Sequence, residues 1–334
     1  MFRSRLACAV FVATAWMLGC TKGEPTIFAV TVHPTNPQIV YVSSSHGVLK
    51  TRDGGATWTP IHEGLEHSQV LAFAIDPSAT STVYAGTFAN AIYKSNDGGQ
   101  RWRPANVGMK EHVSVVNAFA ISPRHSEEIF AATTVGVFRS TDGGGQWVET
   151  VHGMESVYVV AIAIDPKSPD IMYAGTSGGM YRSDDRGVRW TIINRGLIKG
   201  EVGTAMALGV NAISIDPDDT RRLVIATGKG LFTSPDRGAS WEPRPTGADV
   251  SFMTALQRDP VDPSRVYAGG DRGLFISSDR GHTWSAVTAE PRPEIVRSLA
   301  ADPSRPGVLY AGTQRGLLKS ADSGATWSQV PLAR

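Results

Sequence analysis

The sequence predicts an all-β fold, a seven-bladed β-propeller of four-stranded antiparallel blades, and three observations predict it. A short motif, SNDGGQRW at Ser95 to Trp102, recurs seven times in variant form. Its Asp falls at Asp53, Asp97, Asp142, Asp185, Asp236, Asp279 and Asp322, at spacings of 44, 45, 43, 51, 43 and 43 residues. Each unit also repeats three strand-like segments before the motif. Units of 40 to 50 residues with four short strands are the pattern of propeller blades, whose radial packing protects the sheet edges.

The first segment of a unit, VLAFAIDP or VVAIAIDP, alternates and ends at a turn marked by Pro. Counting back from the residue before Pro, one column reads Ala29, Ala72, Ala118, Ala161, Ala212, Ala255, Ser298. Its neighbour reads Val30, Phe73, Phe119, Ile162, Ile213, Leu256, Leu299. A period of two with small residues on one face suits an inner strand wedged between two sheets, and a helix would not keep it. The second segment, TVYAGT or IMYAGT, is short, β-branched and aromatic. The third leads into the motif, and Trp58, Trp102, Trp147, Trp190, Trp241, Trp284 or Trp327 opens the fourth. The motif Asp can accept N–H groups of its own turn, Gly supplies unusual dihedrals, and Trp packs between sheets. A catalytic site needs one unequal set of groups, so seven equivalent copies read as a structural staple. The last unit ends on a fourth strand and the first begins on a first strand, so the ring is expected to close by packing between blades.

Arg3 and Arg5 precede the almost wholly apolar run Leu6 to Leu18. This reads as a secretory signal over residues 1–19. Met17-Leu18-Gly19-Cys20 resembles a bacterial lipobox, which implies that Cys20 is lipidated and that 20–26 is a tether to a propeller over 27–334. The only other cysteine, Cys8, leaves with the signal, so Cys20 has no disulfide partner. The body has no apolar run of 18 residues, so nothing there spans a membrane as a helix. Losing Arg3 and Arg5 takes the basic residues from 32 to 30 against 31 acidic, a net of −1. That balance offers no electrostatic footprint for nucleic acid.

The repeats resemble the Asp-box (BNR-repeat) propellers over nearly all of residues 27–334. That group includes sialidases, xyloglucan-cleaving glycoside hydrolases, the sortilin ectodomain and a photosystem II assembly factor. The resemblance implies the blade and leaves the function open, because these families share scaffold and not site. It also implies that ligands meet the face opposite the Asp-boxes, which carries the turns between second and third strands and the linkers between blades.

All the Trp residues outside the signal are spent in the motif, so none is left for a sugar-stacking platform. The aromatics outside the blade columns are Phe88, Tyr158 and Phe252, all in loops of that opposite face. With Asp271, Arg272, Arg297 and Arg315 they are the candidate ligand-binding residues. The polar members of the column Phe28, Leu71, Asn117, Val160, Asn211, Thr254, Arg297 are expected to line the channel mouth. His46, His62, Glu63, Glu66, His67, Lys110, Glu111, His112, His152 and Asp249 fall in loops of the same face. No HxH or HExxH spacing exists, so neither metal nor other cofactor is expected.

A sialidase-like hydrolase would need an arginine cluster and a Tyr–Glu nucleophile pair. Arg272, Arg297 and Arg315 are available, and Tyr158 lies near Glu155. The Arg-Ile-Pro signature is absent; Glu290-Pro291-Arg292-Pro293 is the nearest stretch. The xyloglucan-cleaving enzymes close two propellers on one cleft, and this chain has one. The assembly-factor family uses a basic patch, and here charge is balanced. The expectation is a non-catalytic, monomeric lipoprotein at the cell envelope that binds a protein or glycan and touches the membrane through its lipid alone. Glycoside hydrolase and photosystem assembly factor are the alternatives. The stretch 195–209 is the one insertion, a partner-contacting loop or neutral drift.

Overall fold

The computed structural model describes residues 23–65, 68–109, 113, 115–197, 209–247, 252–288 and 290–332. The expected signal over 1–19, Cys20, Glu66, His67, Lys110 to His112, Asp249 and most of the 195–209 insertion lie outside the described residues.

Each unit folds as expected. In the first blade β1 (Ile27–Val32), β2 (Val40–Ser44), β3 (Gly47–Thr51) and β4 (Thr59–Pro60) pair antiparallel in chain order. Six further sheets repeat this order, giving seven four-stranded blades. The inner strands are β1, β5 (Val70–Ile75), β9 (Val116–Ile121), β13 (Val159–Ile164), β17 (Val210–Ile215), β21 (Met253–Arg258) and β25 (Val296–Ala301). The outermost strands are two or three residues long, which leaves little open edge for unwanted pairing.

The hydrophobic core is seven wedges, each shared by two blades. One wedge joins Tyr41, Val48 and Ile61 of blade 1 to Val70, Val83, Tyr93 and Trp102 of blade 2. The large inner column faces the preceding blade: the Phe73 ring lies 6.0 Å from Tyr41. The small column faces the following blade, as Ala255 does beside Leu299. The taper of the wedge is thus written in the alternation of side-chain size.

The ring closes by packing. β28 (Ser328–Val330) pairs with β27 (Gly316–Ser320) inside blade 7, Val330 opposite Leu317. Val330, Tyr310 and Leu317 then share a wedge with Ile27, Val42 and Trp58 of blade 1. Among the described residues no strand is exchanged between the first and last blades.

Every blade carries a register shift where its inner strand pairs with the second strand. The residue set off by it is Phe28, Leu71, Asn117, Val160, Asn211, Thr254 or Arg297. A bulge re-aims a side chain, and here it does so at one height around the channel. We call the face with the Asp-boxes and first-to-second turns the lower face. The upper face carries the second-to-third turns and the linkers between blades.

Candidate functional site

The lower face is consumed by structure. In each Asp-box a hydroxyl two residues before the Asp donates to Asp Oδ1, for example Ser95 to Asp97 at 2.7 Å. The same hydroxyl accepts the N–H of the second residue after the Asp, Gly99 at 2.8 Å. Asp Oδ1 also takes the N–H four residues on, Arg101 at 3.0 Å. Thr51, Ser140, Ser183, Ser234, Ser277 and Ser320 repeat this role. Sequence reasoning missed that hydroxyl, although its column is as regular as the Asp column.

These bonds hold all seven carboxyls below the usual range, since hydrogen bonds to the charged form favour it. The largest influence is the Thr51 hydroxyl on Asp53, the Gln146 amide on Asp142, the Arg189 amide on Asp185 and the Thr326 hydroxyl on Asp322. At Asp97, Asp236 and Asp279 the largest influence is burial, which pushes up, and the hydrogen bonds together outweigh it. Asp279 falls to about 2. Four of the Trp indoles reach across the seam, as Trp102 Nε1 does to the Ile61 carbonyl at 2.8 Å and Trp241 Nε1 to Ile193 at 2.7 Å, whereas Trp284 and Trp327 donate to Gly281 and Gly324 of their own turns.

The upper face is built on one repeated contact. In five blades the residue before the inner strand gives its carbonyl to an N–H of the second-to-third turn of the same blade. Thr26 accepts from Ser45, Gln69 from Phe88, Tyr158 from Ser177, Gly209 from Gly228 and Phe252 from Asp271. Phe88, Tyr158 and Phe252 therefore all stand on the upper rim, each a little over 40% exposed. They belong to blades 2, 4 and 6, with a blade between each pair. Asp271 and the exposed Arg272 share the turn of blade 6. Arg315, on the turn of blade 7, pairs with Glu294 at 3.3 Å.

Glu155 and Tyr158 share a linker, and both are exposed. The Tyr181 hydroxyl accepts the backbone N–H groups of Glu155 and Ser156, each at 3.2 Å. No hydrogen bond joins the Glu155 carboxylate to the Tyr158 hydroxyl. Among the described residues no group of three His, Cys, Asp or Glu could hold a metal ion.

The bulged column differs from its expected role. Asn117 Nδ2 donates to the Val159 carbonyl and Asn211 Nδ2 to the Met253 carbonyl, each at 2.7 Å. The Thr254 hydroxyl donates to the Val296 carbonyl. Each acceptor is the first residue of the next inner strand, so these polar groups clasp neighbouring blades rather than simply meeting channel water. Phe28, Leu71 and Val160 cannot donate at the equivalent seams. Burial lowers the Arg297 guanidinium to about 10, leaving it cationic at neutral pH.

Beside Phe28, between blades 1 and 2, the upper face opens into a cleft of about 780 Å³. One wall is the turn Ser44 to Val48 of blade 1. The other is the linker, with His62 to Leu65, Ser68 and Gln69. Ser68 Oγ accepts from Asn90 Nδ2 at 2.6 Å, and Phe88 N–H bonds the Gln69 carbonyl, so the turn of blade 2 backs this wall. Glu63 pairs with Arg101 of the blade 2 Asp-box at 2.8 Å, and its carbonyl accepts the Trp102 N–H, so this end of the linker rests on that box. The half-buried Phe28 supplies apolar surface, with Val48 and Leu65 buried in the core behind the walls; Ser44, Ser45 and Gln69 supply hydrogen-bonding groups. A concave, mixed lining of this size is what a ligand site requires. Of the sequence candidates, His46, His62 and Glu63 line it and Phe88 adjoins it. Ser68, Gln69, Val48 and Leu65 carried no signal of their own, because a cleft arises where two blades part.

The family model described as Sortilin-Vps10 (sortilin, neurotensin receptor 3) matches residues 229–333, from the turn of blade 5 through blade 7. The fold is a seven-bladed β-propeller. No curated protein matches the chain by sequence. Among solved structures, an ancestral GH74 enzyme superposes with TM-score 0.74 at 18% identity, over 92% of this chain and 46% of that one. YCF48 from Cyanidioschyzon merolae gives 0.63 at 16% identity, over 90% of this chain and 97% of that one. YCF48 bound to D1 peptide gives 0.62 at 18%, over 90% and 94%. The present propeller thus spans under half of the GH74 enzyme and nearly all of YCF48. At these identities the likeness is one of fold.

Proposed function

We propose that this protein is a non-catalytic binding propeller, lipid-anchored at the cell envelope through Cys20, that takes a partner protein in the cleft between blades 1 and 2. The observation that carries this reading is the cleft itself: a lining of apolar and hydrogen-bonding groups on the face the Asp-boxes leave free. A polypeptide presents that mixture, whereas a glycan site draws on exposed aromatic platforms, and every Asp-box Trp here is buried. The solved YCF48–D1 complex supports the reading in one respect: a propeller of about this length binds a peptide. The hydrolase alternative draws on the fold of the GH74 enzyme and on Glu155 and Tyr158, which share an exposed linker.

The test is turnover and binding in parallel. Purified protein is expected to release no product from xyloglucan or sialosides. Hydrolysis that disappears in Glu155→Gln or Tyr158→Phe would make the protein an enzyme and sink the proposal. Peptide-array binding weakened by Phe28→Asp and unaffected by Ala56→Asp on the lower face is the supporting result.

A further inference from the structure

The upper edges of the seams are held by two devices. One is the clasp from the bulged column: Asn117 to the Val159 carbonyl, Asn211 to Met253 and Thr254 to Val296. It spans the seams between blades 3 and 4, 5 and 6, and 6 and 7. The other is glycine on the second strand, opposite the small column of the inner strand. That position reads Ser43, Gly86, Ala132, Gly175, Ala226, Gly269, Gly312. A missing Cβ lets the next inner strand come close. A Cβ on Gly86 would stand 2.8 Å from the Val116 side chain, one on Gly175 2.8 Å from Val210 and one on Gly312 2.7 Å from Ile27; one on Gly269 would press on Val296. Each of these neighbours is the first residue of the next inner strand.

Six seams use at least one device. Blades 3–4 and 5–6 combine the clasp with alanine, 2–3, 4–5 and 7–1 have the glycine, and 6–7 has both. Among the described residues the blade 1–2 seam has neither. Phe28 carries no donor. Ser43, the largest member of its column, faces Val70 of β5 by the same register. Accordingly β5 touches β2 less than any other inner strand touches the second strand of the blade before it. The cleft opens at this place.

The lower edge of the same seam is the reverse. Tyr41 and Lys50 of blade 1 hold the Gly98 carbonyl of blade 2 at 3.1 and 2.7 Å. Trp102 gives its indole N–H back to the Ile61 carbonyl at 2.8 Å and its backbone N–H to Glu63 at 2.9 Å. A seam pinned along one edge and unclasped along the other turns about the pinned edge. Parting the upper edge here breaks no clasp, whereas parting the 3–4 or 5–6 seam separates an Asn donor from its carbonyl.

We infer that the blade 1–2 seam is a hinge: the two blades rock about the Gly98 clasp, and the cleft above it widens and narrows, its width set by Phe28 and Ser43. The motion itself needs no ligand. That it admits a partner segment, which would then hold the wide state, rests on the reading of the cleft given under the proposed function.

The test measures the width. A ketone-bearing amino acid at two positions of the full chain, coupled to hydroxylamine nitroxides, leaves Cys20 untouched, and pulsed EPR reads the distance distribution between them. His46 with Ala89 spans the upper edge of the 1–2 seam, Lys229 with Arg272 the equivalent turns of blades 5 and 6, and Arg52 with Asn96 the lower edge of the 1–2 seam; all six are exposed. The 46–89 distribution is expected to be broader than the other two. Phe28→Asn with Ser43→Gly supplies both devices and is expected to shorten and narrow it. Asn211→Phe with Ala226→Ser, the reverse exchange, is expected to broaden the 229–272 distribution. Equal widths at 46–89 and 229–272, or a 46–89 distribution unmoved by Phe28→Asn with Ser43→Gly, overturns the hinge. Where that double variant does not fold, the reverse exchange decides, and an unmoved 229–272 distribution overturns the inference. The distances are read without a partner, so a failure to bind peptide sinks the functional reading and leaves the hinge, while unmoved distances sink the hinge alone.

Discussion

The blades close their seams in two ways, and the contrast lies in the residue after the box Asp. That residue has positive φ in all seven blades: Gly54, Gly98 and Gly143 in blades 1 to 3, then Arg186, Arg237, Arg280 and Ser323. Against the glycines, the preceding blade aims a Tyr and a Lys at the glycine carbonyl. Tyr41 and Lys50 reach Gly98 O at 3.1 and 2.7 Å, Tyr84 and Lys94 reach Gly143 O at 2.8 Å each, and Tyr310 and Lys319 reach Gly54 O at 2.9 and 2.7 Å. Where the box carries Arg or Ser, the preceding blade has no Lys at that position; Arg139, Arg182, Thr233 and Ile276 stand there.

The physical reason is space. A Cβ on Gly98 would lie 2.9 Å from Lys50 Nζ. At Gly143 and Gly54 the lysine ammonium would stand 3.5 and 3.6 Å from such a Cβ, so the clasp crowds a side chain most at Gly98, and all three glycines also meet the positive φ without dihedral cost. Where the box carries a side chain instead, that side chain can find other work. Arg280 crosses the blade 5–6 seam to Asp216 at 2.7 Å and Asp218 at 2.9 Å. Arg186 pairs with Asp170 inside its own blade. The Tyr173 hydroxyl, facing the Arg237 box, is buried without a partner, and burial pushes it up to about 12. The lesson is that one turn geometry serves two seam chemistries, chosen by the neighbouring blade.

Swapping the two chemistries tests this most severely. Gly98→Arg puts a side chain into the Lys50–Tyr41 clasp and strands buried donors, and is expected to cost about 4 kcal/mol from overpacking and lost hydrogen bonds. An unchanged urea midpoint would break the comparison. Arg280→Ala leaves the fully buried Asp216 facing Arg258 alone at 3.6 Å. Because Arg280 is partly solvated, its loss is expected to cost about 2 kcal/mol, below the usual figure for a broken buried pair, read in the same titration.

Acid should not distinguish the two regions, since the box carboxyl is held down in both. A depressed Asp contributes stability above its unfolded pKa of about 4 and loses it as pH falls toward the folded value. Thermal midpoints are therefore expected to be flat near neutrality and to fall below about pH 4. Asp97→Asn and Asp236→Asn should each flatten that fall to a similar extent; a difference confined to one would mean the boxes are not equivalent. The smallest effect belongs to Arg186→Gly, which gives up an exposed ion pair and relieves a positive-φ side chain. No measurable shift in melting temperature is expected, in contrast to the reciprocal change at Gly98.

Much of the fold was legible because the repeat samples each position seven times. The Asp and Trp columns marked the turn, and the alternation of Ala72 with Phe73 marked the wedge. Less of the site was legible. Phe88, Tyr158 and Phe252 stood out as departures from the columns, but Tyr158 and Phe252 stand on blades that the cleft does not touch. Ser68 and Gln69 belong to a linker with no repeated spacing, so nothing in the sequence singled them out.

The sequence by itself determined the number of blades, the strand order and the face the Asp-boxes occupy, because these follow from short-range patterns: a period of two, a turn and a capping side chain. Only the tertiary structure decided that Asn117, Asn211 and Thr254 clasp the next blade, that Lys and Tyr converge on the box glycine carbonyl in three seams, and that the upper face parts beside Phe28. Each of those depends on groups about forty residues apart meeting across a seam. The distance between two blades is set by how all the wedges pack, and no local pattern encodes it.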